Sequence, residues 1–361
     1  MTEEGATEQG MTELGRIIAA RIAANGPITL AEYMADCLLH PVHGYYTSRT
    51  PFGASGDFTT APEISQMFGE VLGLALAQCW LDQGAPAPFT LAELGPGRGT
   101  LMADVLRATR AVPGFHAGAQ VVLVEASPAL RAAQSARLAP HAIRHADTIE
   151  ALPDQPLFLL ANEFFDALPI QQFQFDGTAW RERLVGLTGG RLTLGLSDPL
   201  PGPFGAKPFA HPEPGRVVEI CTAAGAYAAG LARRIRQHGG AALIVDYGSW
   251  RSAGDTFQAL RHHAFADPLA EPGQADLTAH VDFEALADLC ALPYAYCEQG
   301  PFLSRLGIAA RTARLAQSLT GDALQSHLAA HRRLTDPQEM GSLFKVLGLH
   351  PPGTPPPPGF A

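Results

Sequence analysis

The sequence is short of the features that mark secreted, metal-caged, nucleic-acid-binding and membrane-spanning proteins. Its cysteines, Cys37, Cys79, Cys221, Cys290 and Cys297, are odd in number and widely spaced, with no Cys-x-x-Cys pair. That pattern excludes a disulfide framework and a zinc cage, and it implies a reducing compartment. Charged residues make up only 17% of the chain, and their balance is acidic, a net −10. No nucleic-acid surface is expected, whereas a basic target would be attracted. No apolar run approaches the roughly 20 residues of a membrane span. The first residues, Met1 to Leu14, carry Glu3, Glu4, Glu8 and Glu13. They lack the apolar core of a secretory leader, and transit peptides are poor in acids, so the cytoplasm is the expected location. His262-His263 is a loop pair without carboxylate partners, and no metal is expected.

Against that background one pair of segments stands out. Phe89-Thr-Leu-Ala-Glu-Leu-Gly-Pro-Gly-Arg-Gly-Thr100 is an apolar run ending in Glu93, followed by Gly95, Pro96, Gly97, Gly99 and Thr100. After one helix-length segment, Val121-Val-Leu-Val-Glu-Ala-Ser127 repeats the pattern of an apolar run tipped by an acid, Glu125, with Ala126 and Ser127 behind it. Strand, glycine turn, helix and acid-tipped strand make half of a nucleotide-binding βαβ unit: glycine admits a ligand close to the backbone, and the acid can hold a ribose diol. The dinucleotide fingerprint requires a third glycine where Thr100 stands, which disfavours a dehydrogenase. Glu-x-Gly-x-Gly-x-Gly instead resembles the first motif of class I S-adenosylmethionine-dependent methyltransferases.

At 361 residues the chain suggests a core domain with additions. Helices are expected near 12–24, with Thr12 as N-cap, and over 30–39; an amphipathic helix is expected over 64–80. Strands are expected at 141–145, 156–161, 216–221 and 241–247, the last again ending in an acid, with a helix over 226–237. This alternation predicts an α/β fold, a parallel Rossmann-like sheet with helices on both faces. Residues 171–197 alternate differently around Gly189-Gly190, which reads as a β insertion with a hairpin turn. A helix at 282–290, a strand at 294–298, helices between 305 and 333 and an antiparallel strand at 342–349 complete the order. The expected divisions are a helical and lid segment over 1–85, the cofactor-binding core over 86–250 with its insertion near 170–215, a completing part over 251–349, and a disordered Pro-rich tail over 350–361.

In an open parallel sheet the ligand lies beyond the carboxyl ends of the strands. Besides the two segments above, Ala161-Asn-Glu-Phe-Phe-Asp-Ala-Leu-Pro169 and Asp246-Tyr-Gly248 fall there. Asp147 and Thr148 follow the third strand, within reach of an adenine. Asn162 is expected beside the cofactor. Glu163 and Asp166, one helical turn apart, are the candidate catalytic carboxylates, with helix capping as the alternative. Upstream, Asp57, Thr59, Thr60 and Glu63 precede a helix. They are read either as a lid over the cofactor or as a structural loop in which Thr60 and Glu63 form a capping box. His280 is a candidate base or a structural histidine.

Gly56-Asp-Phe-Thr-Thr-Ala-Pro-Glu-Ile-Ser-Gln-Met-Phe-Gly-Glu70, Glu93–Thr100, Ala161–Pro169 and Gln338-Glu-Met-Gly-Ser-Leu-Phe-Lys-Val-Leu347 together resemble one family, over about residues 12 to 349. It is the protein arginine methyltransferases that act as mitochondrial respiratory complex I assembly factors, with their bacterial relatives. Thr59 departs from an expected aliphatic residue, and the lack of a transit peptide points to a bacterial member. The resemblance implies S-adenosyl-L-methionine as cofactor and a protein substrate with a target arginine, such as a complex I core subunit. Glu163, Asp166 and Glu63 would then orient a guanidinium, with His280 or solvent taking the proton. The alternatives are a small-molecule methyltransferase and a non-catalytic, cofactor-binding assembly chaperone.

Overall fold

A computed structural model describes residues 11–48, 60–200, 212–261 and 264–360; Asp57, Thr59 and the His262-His263 pair lie outside the described residues. The chain begins with α1 (Glu13–Asn25), capped as expected by Thr12, whose hydroxyl accepts the Gly15 N–H. Strand β1 (Ile28–Thr29) runs into α2 (Leu30–Leu39), which starts on a reciprocal capping box between Thr29 and Glu32. The short α3 (Tyr45–Ser48) and α4 (Ala61–Ile64) precede α5 (Gln66–Asp82). Helix α5 forms as expected but is more enclosed than an amphipathic pattern implies. Met67 through Gly73 are buried without a break, so two turns are enclosed around their full circumference. Glycine makes this possible: a Cβ on Gly69 would stand 2.6 Å from Asp104 Cβ, and one on Gly73 would stand 2.9 Å from Val105 Cα.

The α/β core follows as β2 (Phe89–Leu94), α6 (Thr100–Thr109), α7 (Phe115–Gly118), β3 (Ala119–Val124), α8 (Pro128–Leu138), β4 (Ile143–Ala146) and β5 (Leu157–Asn162). The insertion comprises β6 (Gln171–Phe175), β7 (Trp180–Thr188), β8 (Arg191–Leu196) and β9 (Val217–Ile220). Then come α9 (Ala224–His238), β10 (Gly240–Ser249), β11 (Gln258–Arg261), β12 (Ala264–Ala266), β13 (Asp276–Thr278), β14 (Val281–Asp282) and α10 (Phe283–Cys290). The chain ends in β15 (Tyr294–Glu298), α11 (Gln299–Arg305), α12 (Ile308–Ala316), α13 (Gly321–Thr335), α14 (Met340–Leu343) and β16 (Phe344–Leu349). None of the described helices is long and apolar enough to cross a membrane.

The central sheet is ordered β15-β16-β10-β5-β2-β3-β4, and two-residue β14 extends the end of β10. Strands β2, β3, β4, β5 and β10 are parallel, while β16 runs antiparallel to both neighbours. From β2 the chain steps outward through β3 and β4, then returns to β5 and steps the other way. The order therefore reverses between β2 and β5, and their carboxyl ends flank a crevice. Period-two alternation divides the strands between two cores, one on each face. Leu91, Leu123, Phe158, Leu160 and Leu243 pack with α5 and α6, whereas Ala92, Val122, Leu159, Ala161 and Ile244 pack with α9 and α10. This is the expected Rossmann-like class, with its β insertion and helical additions.

Two further findings depart from the expectations. The segment 216–221 forms β9 of the insertion sheet, not a core strand. That sheet is ordered β1-β7-β6-β9 with β8 on β7, and Gly189 and Gly190 turn between β7 and β8 at φ 56° and 74°. Its pairing with β1 fuses the N-terminal helices and the insertion into a third core containing Leu14, Ile18, Tyr33, Val185 and Leu277. The Pro-rich tail is also folded, because the Phe360 ring packs on Phe302 at 4.9 Å and covers Gly348.

Gly240 starts β10 at φ 116°, and a Cβ there would stand 1.9 Å from the Leu157 carbonyl oxygen. Gly240→Ala should cost at least about 3 kcal/mol in urea unfolding. Gly189→Ala, at φ 56° with open space around the new methyl, should cost about 1 kcal/mol. Equal losses would show that the contact between β5 and β10 is not the constraint.

Candidate active site

The site begins where β2 ends. Gly95, Gly97 and Gly99 all take positive φ, 59°, 50° and 77°. Only glycine adopts such a succession without cost, and it bends the backbone sharply before α6. At Gly95 the space is limited as well, since a Cβ would stand 2.7 Å from the Phe164 ring. Glu93 is buried beneath the turn; burial pushes its carboxyl up to about 8, and its Oε2 has no partner among the described residues.

At the end of β3, Glu125 is nearly buried. Its Oε1 accepts the Ser127 N–H at 2.8 Å, and its Oε2 accepts from Gln134 at 3.2 Å. Burial raises its pKa against those bonds. The held carboxylate faces the crevice, and Asp147 stands at the mouth, paired with Arg131.

The third part follows β5. Glu163 has φ 49°, a left-handed backbone that a β-carbon makes costly, by about 1–3 kcal/mol. What over-determines it is Asp246 on β10. Its Oδ2 accepts the N–H groups of Phe164, Phe165 and Asp166 at 3.2, 3.0 and 3.3 Å, and its Oδ1 accepts Tyr247 N–H at 2.9 Å. The segment after Glu163 is thus a turn wrapped on a buried carboxylate and not the helix that the spacing suggested. Glu163 Oε1 accepts from Asn162 Nδ2 at 3.0 Å and from the Ala61 N–H at 3.2 Å. Burial raises the Glu163 carboxyl. It raises Asp166 well above its ordinary value, with added repulsion from Asp246, Asp276 and Glu163. Asn162 Oδ1 and Asp166 Oδ1 are buried acceptors without partners among the described residues.

The N-terminal segment closes one side. Thr60 makes no side-chain cap, and the expected capping box is absent. Glu63 instead accepts from Thr100 Oγ1 at 2.6 Å and pairs with Arg98. Burial opposes its ionisation, but the Arg98 and Thr100 bonds outweigh that and hold its pKa below the usual value.

One cavity collects these groups. Glu63, Glu93, Glu125, Asp147, Glu163 and Asp166 line it, together with Thr60, Gly95, Pro96, Gly97, Thr100, Ala126 and Asn162. Four expected residues do not. Gly99 is the N-cap of α6 and packs toward Gln134; Ser127 caps α8; exposed Thr148 precedes the turn at Ile149–Ala151. His280 lines a second cavity instead, its ring edge-on to Tyr247 at 5.4 Å and its backbone N–H on Thr256. Tyr46, Asp276 and Tyr227 also line the first cavity and escaped the sequence reading. No group of His, Cys, Asp and Glu among the described residues is arranged to hold a metal.

Among the described residues, seven acidic side chains line the cavity, and the cation beside them, Arg98, is engaged by Glu63. Such a cavity repels a pyrophosphate and attracts a cation. The chemistry of its donors fits a sulfonium carrying an amino group, with unpartnered Glu93 Oε2 and Asn162 Oδ1 available to accept N–H bonds.

Comparison with known proteins agrees. Residues 71–294 match the family described as S-adenosyl-L-methionine-dependent methyltransferases. The chain is 36% identical to a mitochondrial Drosophila melanogaster protein named protein arginine methyltransferase NDUFAF7 homolog, covering 95% of this chain and 86% of that one. It is 35% identical to the human protein arginine methyltransferase NDUFAF7, covering 95% and 85%. A Burkholderia thailandensis protein crystallised with S-adenosyl-homocysteine superposes with a TM-score of 0.79 at 28% identity, covering 99% of this chain and 94% of its own. The chain belongs to the S-adenosylmethionine-dependent methyltransferases, and its cofactor is S-adenosyl-L-methionine.

Two outcomes test the cofactor end. Gly97→Val should abolish S-adenosylmethionine binding in calorimetry, since a β-branched residue at φ 50° forces the turn open. Glu93, raised to about 8, is neutral at pH 7 in the empty protein. A cation beside it lowers that value, so binding at pH 7 should release protons, with Glu93 as their source. Calorimetry in buffers of different ionisation enthalpy reads the release, which Glu93→Gln should reduce; equal release by the variant would place the proton elsewhere.

Proposed function

We propose that this methyltransferase acts on the guanidinium of an arginine in a protein. The carrying observation is the carboxylate pair at the β5 end, with Glu163 held in a left-handed conformation and Asp166 buried beside it in the same cavity. The curated relatives named above are protein arginine methyltransferases, and the Burkholderia protein holds the demethylated cofactor. A guanidinium stays protonated at neutral pH and spreads its charge over three nitrogens. Carboxylates against two of them localise charge there and turn the third outward. The bound cofactor supplies a methyl on a positively charged sulfur, and Glu93, Glu125 and Asn162 are the residues to hold it. Alignment of the acceptor nitrogen then contributes through positioning, on the order of several kcal/mol. The released proton goes to Asp166, a buried carboxyl whose affinity for a proton is raised by burial and by its acidic neighbours. His280 lines the second cavity and is not assigned this role. A respiratory complex I core subunit is the target class carried over from the family resemblance, and the cytoplasm is the proposed location.

Mass spectrometry of a cell lysate incubated with the enzyme and labelled S-adenosylmethionine should find the label on arginine. Glu163→Gln and Asp166→Asn keep shape and remove charge. Each should leave cofactor affinity within about threefold and lower methyl transfer at least about a hundredfold, roughly 2.7 kcal/mol of barrier. Wild-type rates in both would leave a structural role in the turn as the better account of the two carboxylates, absence of any label would favour the non-catalytic assembly chaperone, and label confined to small molecules would favour the small-molecule alternative.

A further inference from the structure

The acceptor end of the cavity holds one pair that neither the motifs nor the relatives account for. Tyr46 Oη donates to Asp276 Oδ1 at 2.7 Å, across 230 residues of sequence. Both line the same cavity as Glu163 and Asp166, and Asp276 is only 6% exposed. They reach it from elements outside the central sheet: Tyr46 from α3 and Asp276 from the first residue of β13. The segment after β13 is tied to the catalytic turn, because Ala279 N–H donates to the Asp166 carbonyl at 2.9 Å. Asp166 Oδ1, meanwhile, is buried without a partner among the described residues. A buried acceptor of this kind is costly unless a ligand supplies a donor. Asp276 and Asp166 also repel each other, and burial raises both Asp166 and Tyr46.

We propose that Asp276 is a substrate-binding residue of the acceptor pocket, receiving guanidinium N–H groups opposite Asp166, and that Tyr46 is the positioning residue that fixes its carboxylate. Two planar carboxylates suit the fork of a guanidinium better than the point charge of an ammonium, which gives selection of arginine over lysine. The pocket is complete only with the N-terminal segment docked, because Tyr46 belongs to it. This inference rests on the arginine reading.

The test uses the full-length protein with S-adenosylhomocysteine and N-acetyl-arginine amide as probe, with the lysine and citrulline amides as controls. Wild type should prefer the arginine amide at least tenfold over each control. Asp276→Asn should lose that preference, and Tyr46→Phe should weaken arginine-amide binding three- to tenfold, while both bind S-adenosylhomocysteine as wild type does. In labelled methyl transfer the Tyr46→Phe defect should fall on KM rather than kcat. Unchanged arginine-amide affinity in Asp276→Asn overturns the inference alone. Cofactor affinity lost in both variants also overturns it, by assigning the pair a purely structural role. Wild type that neither labels arginine in lysate nor binds the arginine amide overturns the arginine reading and this inference with it.

Discussion

The active site depends on one buried carboxylate that does not line the cavity. Asp246 sits at the end of β10 with no exposed surface, and four backbone N–H groups converge on its two oxygens. Three of them belong to consecutive residues of the turn after β5. A turn whose amides share one acceptor has little freedom to relax, and that rigidity keeps Glu163 in a backbone region it would otherwise leave. Burial pushes the Asp246 acid up to about 8, with Glu163 adding repulsion, while the converging N–H groups favour the charged form. The central sheet sets where this happens: β5 and β10 are adjacent and parallel, and the last residue of β5, Asn162, pairs with Val245, which places Asp246 beside the turn that follows.

Around this anchor the remaining pieces interlock. The Ala61 N–H touches Glu163, and Glu63 touches both Arg98 and Thr100. A few residues preceding α5 thus join the glycine turn of β2 to the carboxylate turn of β5, the two lips of the crevice. The anionic lining follows from the same convergence. Each of these strand ends contributes an acid; burial raises the pKa values of Glu93, Glu125 and Glu163, and the ligands expected there are cations.

Much of this was legible in the sequence, and the reasons differ by element. Apolar runs ending in an acid marked β2, β3 and β10, since a strand buried on both faces reads as a continuous hydrophobic stretch. The glycine turn and Asn162-Glu163 were legible because their chemistry is local. Asp246 looked like another ligand-facing acid, and nothing in its neighbourhood reveals that it holds amides 80 residues away. Thr60 and Glu63 matched a capping box that tertiary contacts overrode. Helix α5 looked amphipathic, but Gly69 and Gly73 admit α6 to its other side. Tyr46 and Asp276 meet only because two elements outside the core sheet fold together, a contact beyond any local pattern. The proline-rich end looked unstructured because composition does not show that Phe360 finds a ring to cover.

The pairing of β1 with β7 carries a consequence for how the molecule comes apart. The wall bearing Tyr46 and Asp276 belongs to the third core, whereas the glycine turn and Glu125 belong to the central sheet. Cooperative units of a protein follow its cores. Loosening the third core would expose the acceptor end to solvent while the cofactor end kept its shape, so the halves of the site can differ in lifetime. The proposed protein substrate would then have a route to leave without the enzyme surrendering its cofactor pocket.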